Sequence, residues 1–508
     1  MDLISPLDGM FLMGESREHP MHVGGLHVYK PPAGSGPDFV RELYQKLLTD
    51  TDATATFRKH PGEVMGGISK LTWAIDPDID LEYHLRRSAL PNPGRVRELL
   101  ELTSRLHGTL LDRHRPLWEM HLVEGLDDGR FAVYAKMHHA LLDGVSAMLT
   151  LRRALSTDPD DHVARAFWEP SERKSKKGGG GKASLLDTVK KGAGSIAALG
   201  PGTYNLARKG ILEQQLNLPF GAPRTMFNVP IAGARRCAAQ SWPVERFLAI
   251  KRATGVTLND VVLAVCGGAL RAYLLEQDAL PDKPLIAMVP VNLREGESTG
   301  GNEVGSLLAN LGTDTSDPAE RLRIINTCMN NNKEVFRSMP KVQQVALSTF
   351  NVVPLMVELL PVLRTTAPPP FNIVISNVPG ARQSMYWGGA QLTGNYPMSI
   401  ALDGQALNIT LTNNGDNLDF GIVGCRRSVP HLQRLIGHLE DSLTALEEAV
   451  GKGAAKAPAN KAASKKSSPA KVADTAKSVA KKAVKKAAAP AKRAAAASKA
   501  VKGTAKGK

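Results

Sequence analysis

The stretch His138-His139-Ala140-Leu141-Leu142-Asp143-Gly144 gathers two imidazoles and a carboxylate. Imidazole exchanges protons near neutral pH, so adjacent histidines point either to acid–base chemistry or to a metal. The spacing separates the two. Side chains in extended backbone alternate faces, so Phe131, Val133, Ala135, Met137 and His139 share one face and His138 shares the other with Ala132, Tyr134 and Lys136. Neighbouring strand histidines therefore diverge and do not easily chelate one ion, and no CxxC or HExxH pattern supplies further zinc ligands. His139 instead closes an apolar face where strand gives way to loop. Partial desolvation there keeps an imidazole neutral near pH 7 and able to accept a proton, as a general base must. Asp143 has two structural readings, as the N-cap of a following helix or as the ion-pair partner of a buried arginine that holds the loop.

Such a motif needs a strand before it and a helix after it, and local patterns supply both. Residues 117–123 and 131–137 read as strands around the turn Asp127-Asp128-Gly129, and Met148, Leu149, Leu151 and Leu155 mark a helix from Val145. Residues 285–293, 371–378, 406–414 and 418–425 read as further strands, the last two forming a hairpin across an Asn/Gly/Asp-rich turn. Helices are predicted for LNDVVLAVCGGALRAYLLEQ from Leu258 and near residues 431–450, where Leu432, Leu435, Ile436, Leu439, Leu443 and Leu446 fall on one face. The organisation expected is a lobe over 1–168, a flexible Gly/Lys linker over 169–184, a second lobe over 185–450 and a disordered Lys/Ala-rich tail over 451–508. The linker's GGGGK is not a phosphate loop, because Lys176 stands where that motif needs glycine and Ala183 where it needs Ser or Thr.

The net charge of +15 belongs to the tail, whose 17 Lys and Arg against the single acid Asp474 give +16 and leave about −1 for the rest. Cys237, Cys266, Cys328 and Cys425 lie far apart, which argues against a disulfide framework and fits a reducing cytosol. The first residues, MDLISPLDGMF, lack the basic and apolar regions of a signal peptide, so secretion is not expected. No run reaches the ~18 clean apolar residues a spanning helix needs. The nearest, 350–363, is broken by Pro354, Glu358 and Pro361.

HHALLDG resembles the active-site motif of the CoA-dependent acyltransferase superfamily, which includes chloramphenicol acetyltransferase and peptide-synthetase condensation domains. The longer resemblance is to the bacterial bifunctional wax ester synthase/acyl-CoA:diacylglycerol acyltransferase family. It covers nearly the whole body: SPLDGMFLMGESREHPMHVGGL from Ser5, Pro116-Leu117-Trp118, HHALLDG, LNDVVLAVCGGALRAYL from Leu258, VPVNLR from Val289, GNEVGSLL from Gly301 and SNVPG from Ser376. The linker and tail depart from the family pattern. The resemblance implies an α/β fold of two chloramphenicol-acetyltransferase-like lobes, with the active site in a channel between them. It implies His139 as catalytic base supported by His138, with Asp143 and Gly144 structural. Pro116, Leu117, Trp118, Asn259, Asp260, Asn292, Ser376 and Asn377 become candidates for the substrate channel or for positioning, although Asn259 and Asp260 equally suit a helix cap.

The chemistry implied is attack of an acceptor hydroxyl on the thioester of acyl-CoA, which is a substrate, with no metal or nucleotide cofactor. Diacylglycerol and long-chain alcohols are the acceptors expected, giving triacylglycerol and wax esters. The alternatives are a same-fold enzyme with another acceptor, or a scaffolding role in which the tail binds nucleic acid or a lipid droplet. A cytoplasmic protein lying peripherally on a membrane or lipid inclusion is expected. The tail has no aromatic residues for base stacking, and its charge attracts anionic lipid and nucleic-acid phosphates by the same physics. Deleting Gly453–Lys508 should leave turnover on detergent-dispersed substrate nearly unchanged and reduce co-sedimentation with anionic vesicles or DNA, mostly at low salt. Loss of turnover in detergent would place the tail in the catalytic body.

Overall fold

The strand leading into the histidine pair, FAVYAKMH, is buried along its whole length, and the architecture follows from what covers its two faces. A computed structural model describes residues 2–62, 72–170, 221–292, 304–338 and 368–456. In chain order the elements are β1 (Asp2–Leu3), α1 (Pro6–Gly14), β2 (His22–Lys30), α2 (Phe39–Leu48), β3 (Lys59–Pro61), β4 (Thr72–Ile75), α3 (Leu81–His84), β5 (Leu85–Ala89), α4 (Val96–His107), β6 (Trp118–Glu124), β7 (Phe131–His138) and α5 (Gly144–Arg153). There follow β8 (Arg235–Pro243), α6 (Val244–Thr254), α7 (Leu258–Glu276), β9 (Ile286–Asn292), β10 (Val304–Asn310), α8 (Pro318–Ser338), β11 (Ile373–Ala381), β12 (Tyr386–Trp387), β13 (Ala390–Met398), β14 (Leu407–Asn414), β15 (Asn417–Cys425) and α9 (Arg434–Lys456).

The first large sheet has the order β12-β13-β2-β7-β6-β5, antiparallel except for β5–β6. On one face Val133, Ala135 and Met137 pack with Val40, Leu43 and Leu47 of α2 and Ala147 and Leu151 of α5. On the other, Ala132 and Tyr134 meet Leu99 of α4. Lys136 is fully buried on this second face. Its Nζ donates to the carbonyls of Leu106 (3.2 Å) and Thr109 (2.8 Å) and lies 3.2 Å from Glu119, so a cation satisfies carbonyl groups at the electronegative end of α4.

The second large sheet has the order β10-β9-β11-β14-β15-β8, with β9–β11 and β11–β14 parallel and the rest antiparallel. Its core takes residues from α6, α7, α8 and α9. By length and composition α7 is apolar enough to cross a membrane, yet 67% of that stretch is buried within the protein, as a core helix. The run 350–363 lies outside the described residues.

Two sequence boundaries are corrected. Strand β13 follows the linker in sequence but pairs with β2, from Gln391 opposite Lys30 to Met398 opposite Gly24, so the division into 1–168 and 185–450 does not describe the sheets. Backbone pairing sets sheet membership, and periodicity along one strand carries no record of its partner. Helix α9 continues to Lys456, beyond the boundary at 450 and through Gly451 and Gly453, because an established helix gains one backbone hydrogen bond for each residue it adds. Residues 171–220, which hold most of the linker, and the tail from 457 lie outside the described residues.

The seam between the sheets is tight. Buried Asp419 of β15 accepts Asn395 N–H of β13 at 2.6 Å and Asn414 Nδ2 at 3.0 Å, and burial pushes its pKa up to about 6. A Cβ on Gly421 would lie 1.8 Å from the Pro397 carbonyl oxygen. Gly421→Ala should therefore lower stability by about 1–3 kcal/mol or more, from overpacking against backbone. Gly437→Ala, at an exposed position of α9 with open space beside it, should raise stability by up to ~1 kcal/mol. Urea melts of the two variants check the contrast.

Candidate active site

The register of β2 with β7 sets His22 opposite His138 and brings the chain just before β2 alongside the motif. His139 N–H donates to Met21 O at 2.8 Å, and His138 N–H donates to Leu117 O at 3.0 Å. The strand ends at His138, and Leu141 N–H returns to His138 O at 2.8 Å, so His139 sits in a tight turn. The His138 ring is sealed from solvent. Its Nδ1 accepts Ala140 N–H at 3.0 Å, which assigns the ring proton to Nε2. Nε2 lies 3.3 Å from Glu15 Oε1, so the ring N–H dipole faces the carboxylate but falls short of full hydrogen-bond geometry. Glu15 also accepts Arg113 Nε at 2.8 Å and Met21 N–H at 3.3 Å. Burial works to raise the Glu15 pKa, but His138 and Arg113 outweigh it and hold the carboxyl below its ordinary range.

The His139 ring stacks on Phe11, with centroids 4.1 Å apart and planes at 22°. The residue keeps partial exposure, while dense packing around the ring desolvates it. That desolvation pushes its pKa down to about 4, against the pull of the Asp143 carboxylate and with a further push from His138. Among the described residues no cluster of three or more His, Cys, Asp or Glu is arranged to hold a metal.

Asp143 is the N-cap of α5. Its Oδ1 accepts Ser146 N–H at 2.8 Å and its Oδ2 accepts Ser146 Oγ at 3.1 Å. Among the described residues no arginine pairs with it, so capping is its role, and the partly buried Arg113 serves Glu15 instead. Gly144 opens α5 with no atom within 4 Å of where a Cβ would sit.

The other candidates divide. Trp118 is fully buried, donates Nε1–H to Phe57 O at 2.9 Å and stacks on His84 and Trp168. It is core of the first lobe rather than a channel wall, because its indole N–H is satisfied inside. Leu117 positions the motif through its carbonyl, and Pro116 is buried beside it. Asp260 forms a capping box with Thr257 and accepts Asn326 Nδ2 at 2.9 Å, so it belongs to the start of α7, next to half-buried Asn259. Asn292 ends β9, and its side chain lies outside the described residues. Ser376 and Asn377 are half-buried on β11, the strand against which α5 packs. Ala140 shares one apolar cluster with Phe11, Met21 and Leu117 of the first lobe and Ile286, Leu308 and Phe371 of the second, so the motif lies where the lobes meet.

Phe11, Glu15 and Arg113 were not singled out from sequence. Glu15 lies in the polar GESREH part of the block that starts at Ser5, where Glu18 is a second acid and nothing local sets Glu15 apart. Its partners stand 98 and 123 residues away, which no local pattern encodes.

The family described as the wax ester synthase/diacylglycerol acyltransferase catalytic domain matches residues 4–262, and the WS/DGAT C-terminal domain matches residues 300–447. The probable diacylglycerol O-acyltransferase tgs2 of Mycobacterium tuberculosis is 60% identical over 453 residues, covering 89% of this chain and 100% of the relative. The O-acyltransferase WSD of Acinetobacter baylyi is 38% identical over 455 residues, covering 88% and 98%. The solved wax ester synthase/diacylglycerol acyltransferase from Marinobacter aquaeolei VT8 is 41% identical with a TM-score of 0.70, covering 88% of this chain and all of that one. A starter condensation domain of rhizomide synthetase RzmA, 13% identical over 89% of this chain and 95% of that one with a TM-score of 0.53, shares the fold.

The cap makes a graded prediction. Asp143→Ala should lower stability by ~1 kcal/mol, whereas Asp143→Asn should be nearly neutral, since Asn caps as well as Asp. Thermal melts of the two variants check it, and an Asn variant as unstable as the Ala variant would show that the charge, not the cap, is what matters.

Proposed function

Because the chain belongs to the wax ester synthase/diacylglycerol acyltransferase family, we propose that His139 is the general base of an acyl transfer from acyl-CoA to a lipid hydroxyl. The chain is an O-acyltransferase, and its esterification of diacylglycerol and long-chain alcohols gives triacylglycerol and wax esters. The observation carrying the role of His139 is that the residue keeps partial exposure where the lobes meet while packing against Phe11 desolvates its imidazole and holds it neutral. A neutral imidazole carries one protonated and one unprotonated ring nitrogen, and the lone pair of the latter is what a base offers to substrate.

The unprotonated ring nitrogen of His139 takes the hydroxyl proton as the oxygen attacks the thioester carbonyl. The tetrahedral intermediate collapses, the C–S bond breaks, and the imidazolium returns its proton to the departing thiolate. A thiol pKa of about 8.5 makes that thiolate a far better leaving group than an alkoxide. Hydrogen-bond donors must meet the transient oxyanion. Ser376 and Asn377, on the strand beside α5, are positioning candidates on the side of the second lobe. These steps need no metal, no nucleotide cofactor and no acyl-enzyme. An apolar acceptor and a +16 tail support a cytoplasmic enzyme resting peripherally on a membrane or lipid inclusion, with non-specific nucleic-acid contact as a competing use of the tail.

His139→Ala should reduce turnover on the order of 10²–10⁴-fold without unfolding the protein. A base must be neutral, and a pKa pushed down to about 4 leaves His139 neutral throughout the range above it. The acidic limb of kcat/KM should therefore fall near pH 4 rather than near the usual histidine value of about 6.5. Assays with labelled palmitoyl-CoA and either hexadecanol or diacylglycerol should show product from both acceptors. Activity with neither, but with a small amine, would overturn the acceptor class, and wild-type turnover in His139→Ala would overturn the base.

A further inference from the structure

We infer that Glu15, fixed by Arg113, is a positioning residue that sets the place and orientation of the His139 imidazole. The inference rests on His139 being the base. Glu15 grips the chain on both sides of that residue. Its Oε1 accepts Met21 N–H at 3.3 Å, and the carbonyl of the same Met21 accepts His139 N–H at 2.8 Å. The same oxygen faces His138 Nε2 at 3.3 Å, and Nδ1 of that ring accepts Ala140 N–H at 3.0 Å, closing the turn directly after His139. The His139 backbone is thus held before and after by groups that converge on one carboxylate.

Arg113 completes the clamp. Its Nε donates to Glu15 Oε2 at 2.8 Å, and its Nη2 donates to Leu12 O at 2.6 Å on α1. The residue before Leu12 is Phe11, whose ring is the stacking face for His139. One guanidinium therefore ties the carboxylate that fixes the turn to the helix that supplies the wall against the ring. The Glu15 side chain is 2% exposed. A carboxylate so buried is unfavourable unless paired and hydrogen-bonded, so a residue needed only for packing would be better served by an apolar side chain. Directional bonds that survive desolvation fix a geometry, and displacing a reacting group by about 1 Å costs on the order of 10²-fold in rate.

The test combines steady-state kinetics with imidazole NMR. Glu15→Gln keeps the shape and removes the charge. It should lower kcat on the order of 10–100-fold while KM for palmitoyl-CoA stays within about two-fold, because the clamp acts on the backbone that places the base rather than on substrate binding. In a double-mutant cycle with His138→Asn, the two losses should be strongly sub-additive, since Glu15 acts through His138. A purely stabilising role would move the melting temperature and leave kcat of the folded protein unchanged, and that result overturns the inference, as does full additivity. If Glu15→Gln does not fold, Glu15→Gln/Arg113→Met removes both charges together and carries the same kinetic test. In ¹⁵N-histidine-labelled protein, the ring signals of His138, assigned by their loss in His138→Asn, and of His139, assigned by their loss in His139→Ala, should shift in Glu15→Gln; unchanged signals overturn the inference whether or not His139 is the base. Failure of the base itself shows separately, as turnover retained in His139→Ala.

Discussion

The antiparallel register of β2 with β7 is the constraint on which the site depends. With His22 opposite His138, the carbonyl of Met21 falls where His139 can donate to it, and Glu15 arrives beside the His138 ring. A slip of one residue would turn every side chain of β7 to the opposite face. It would carry Lys136 away from the end of α4 and place Met137 against Glu15. Burial of both faces of β7 makes such a slip prohibitive, so the same packing that stabilises the first lobe fixes the place of the His139 imidazole.

Desolvation does two kinds of work in this lobe. It pushes the pKa of His27 and His139 down to about 4 and that of His107 to about 3, so these imidazoles stay neutral. His107 then serves the core through its ring, meeting Tyr134 OH at 2.7 Å and Ser399 O at 3.0 Å. The charged groups that remain inside are matched, Lys136 with Glu119 and Arg113 with Glu15. His22, His27, His84, His107, His121 and His138 each meet another residue through a ring nitrogen, whereas the partly exposed His139 ring is stacked on Phe11, which fits the base proposed for it.

The second lobe contributes to the first through β13, which joins the sheet of β2 while lying against β15. Gly421 admits backbone-to-backbone contact there, and Asp419 ties the two strands by accepting the Asn395 N–H. Arg235 adds a further tie, donating to Glu18 O and Ala401 O. These contacts bring the motif's Ala140 into one apolar cluster with Ile286 and Phe371. A site built across two sheets requires the sheets to be fixed relative to each other, and the strand exchange does this with main-chain hydrogen bonds.

What depends on neighbours in sequence was legible in the residues alone. The strand–HHxxxDG–helix unit, the β14–β15 hairpin, the core helix α7 and the one-sided α9 follow from periodicity and turn chemistry, which report local backbone state and burial. His139 stood out because its type and its place at the end of an apolar face are both local facts. The tertiary structure alone decided that Asp143 caps a helix, that the Trp118 indole is sealed in the core, and that β13 crosses to the other sheet. It also decided that Glu15 and Arg113, far apart in sequence, share one buried charge pair. Each of these is a choice of partner, and a partner is selected by topology and register, which bring together residues whose sequence separation carries no information about their distance.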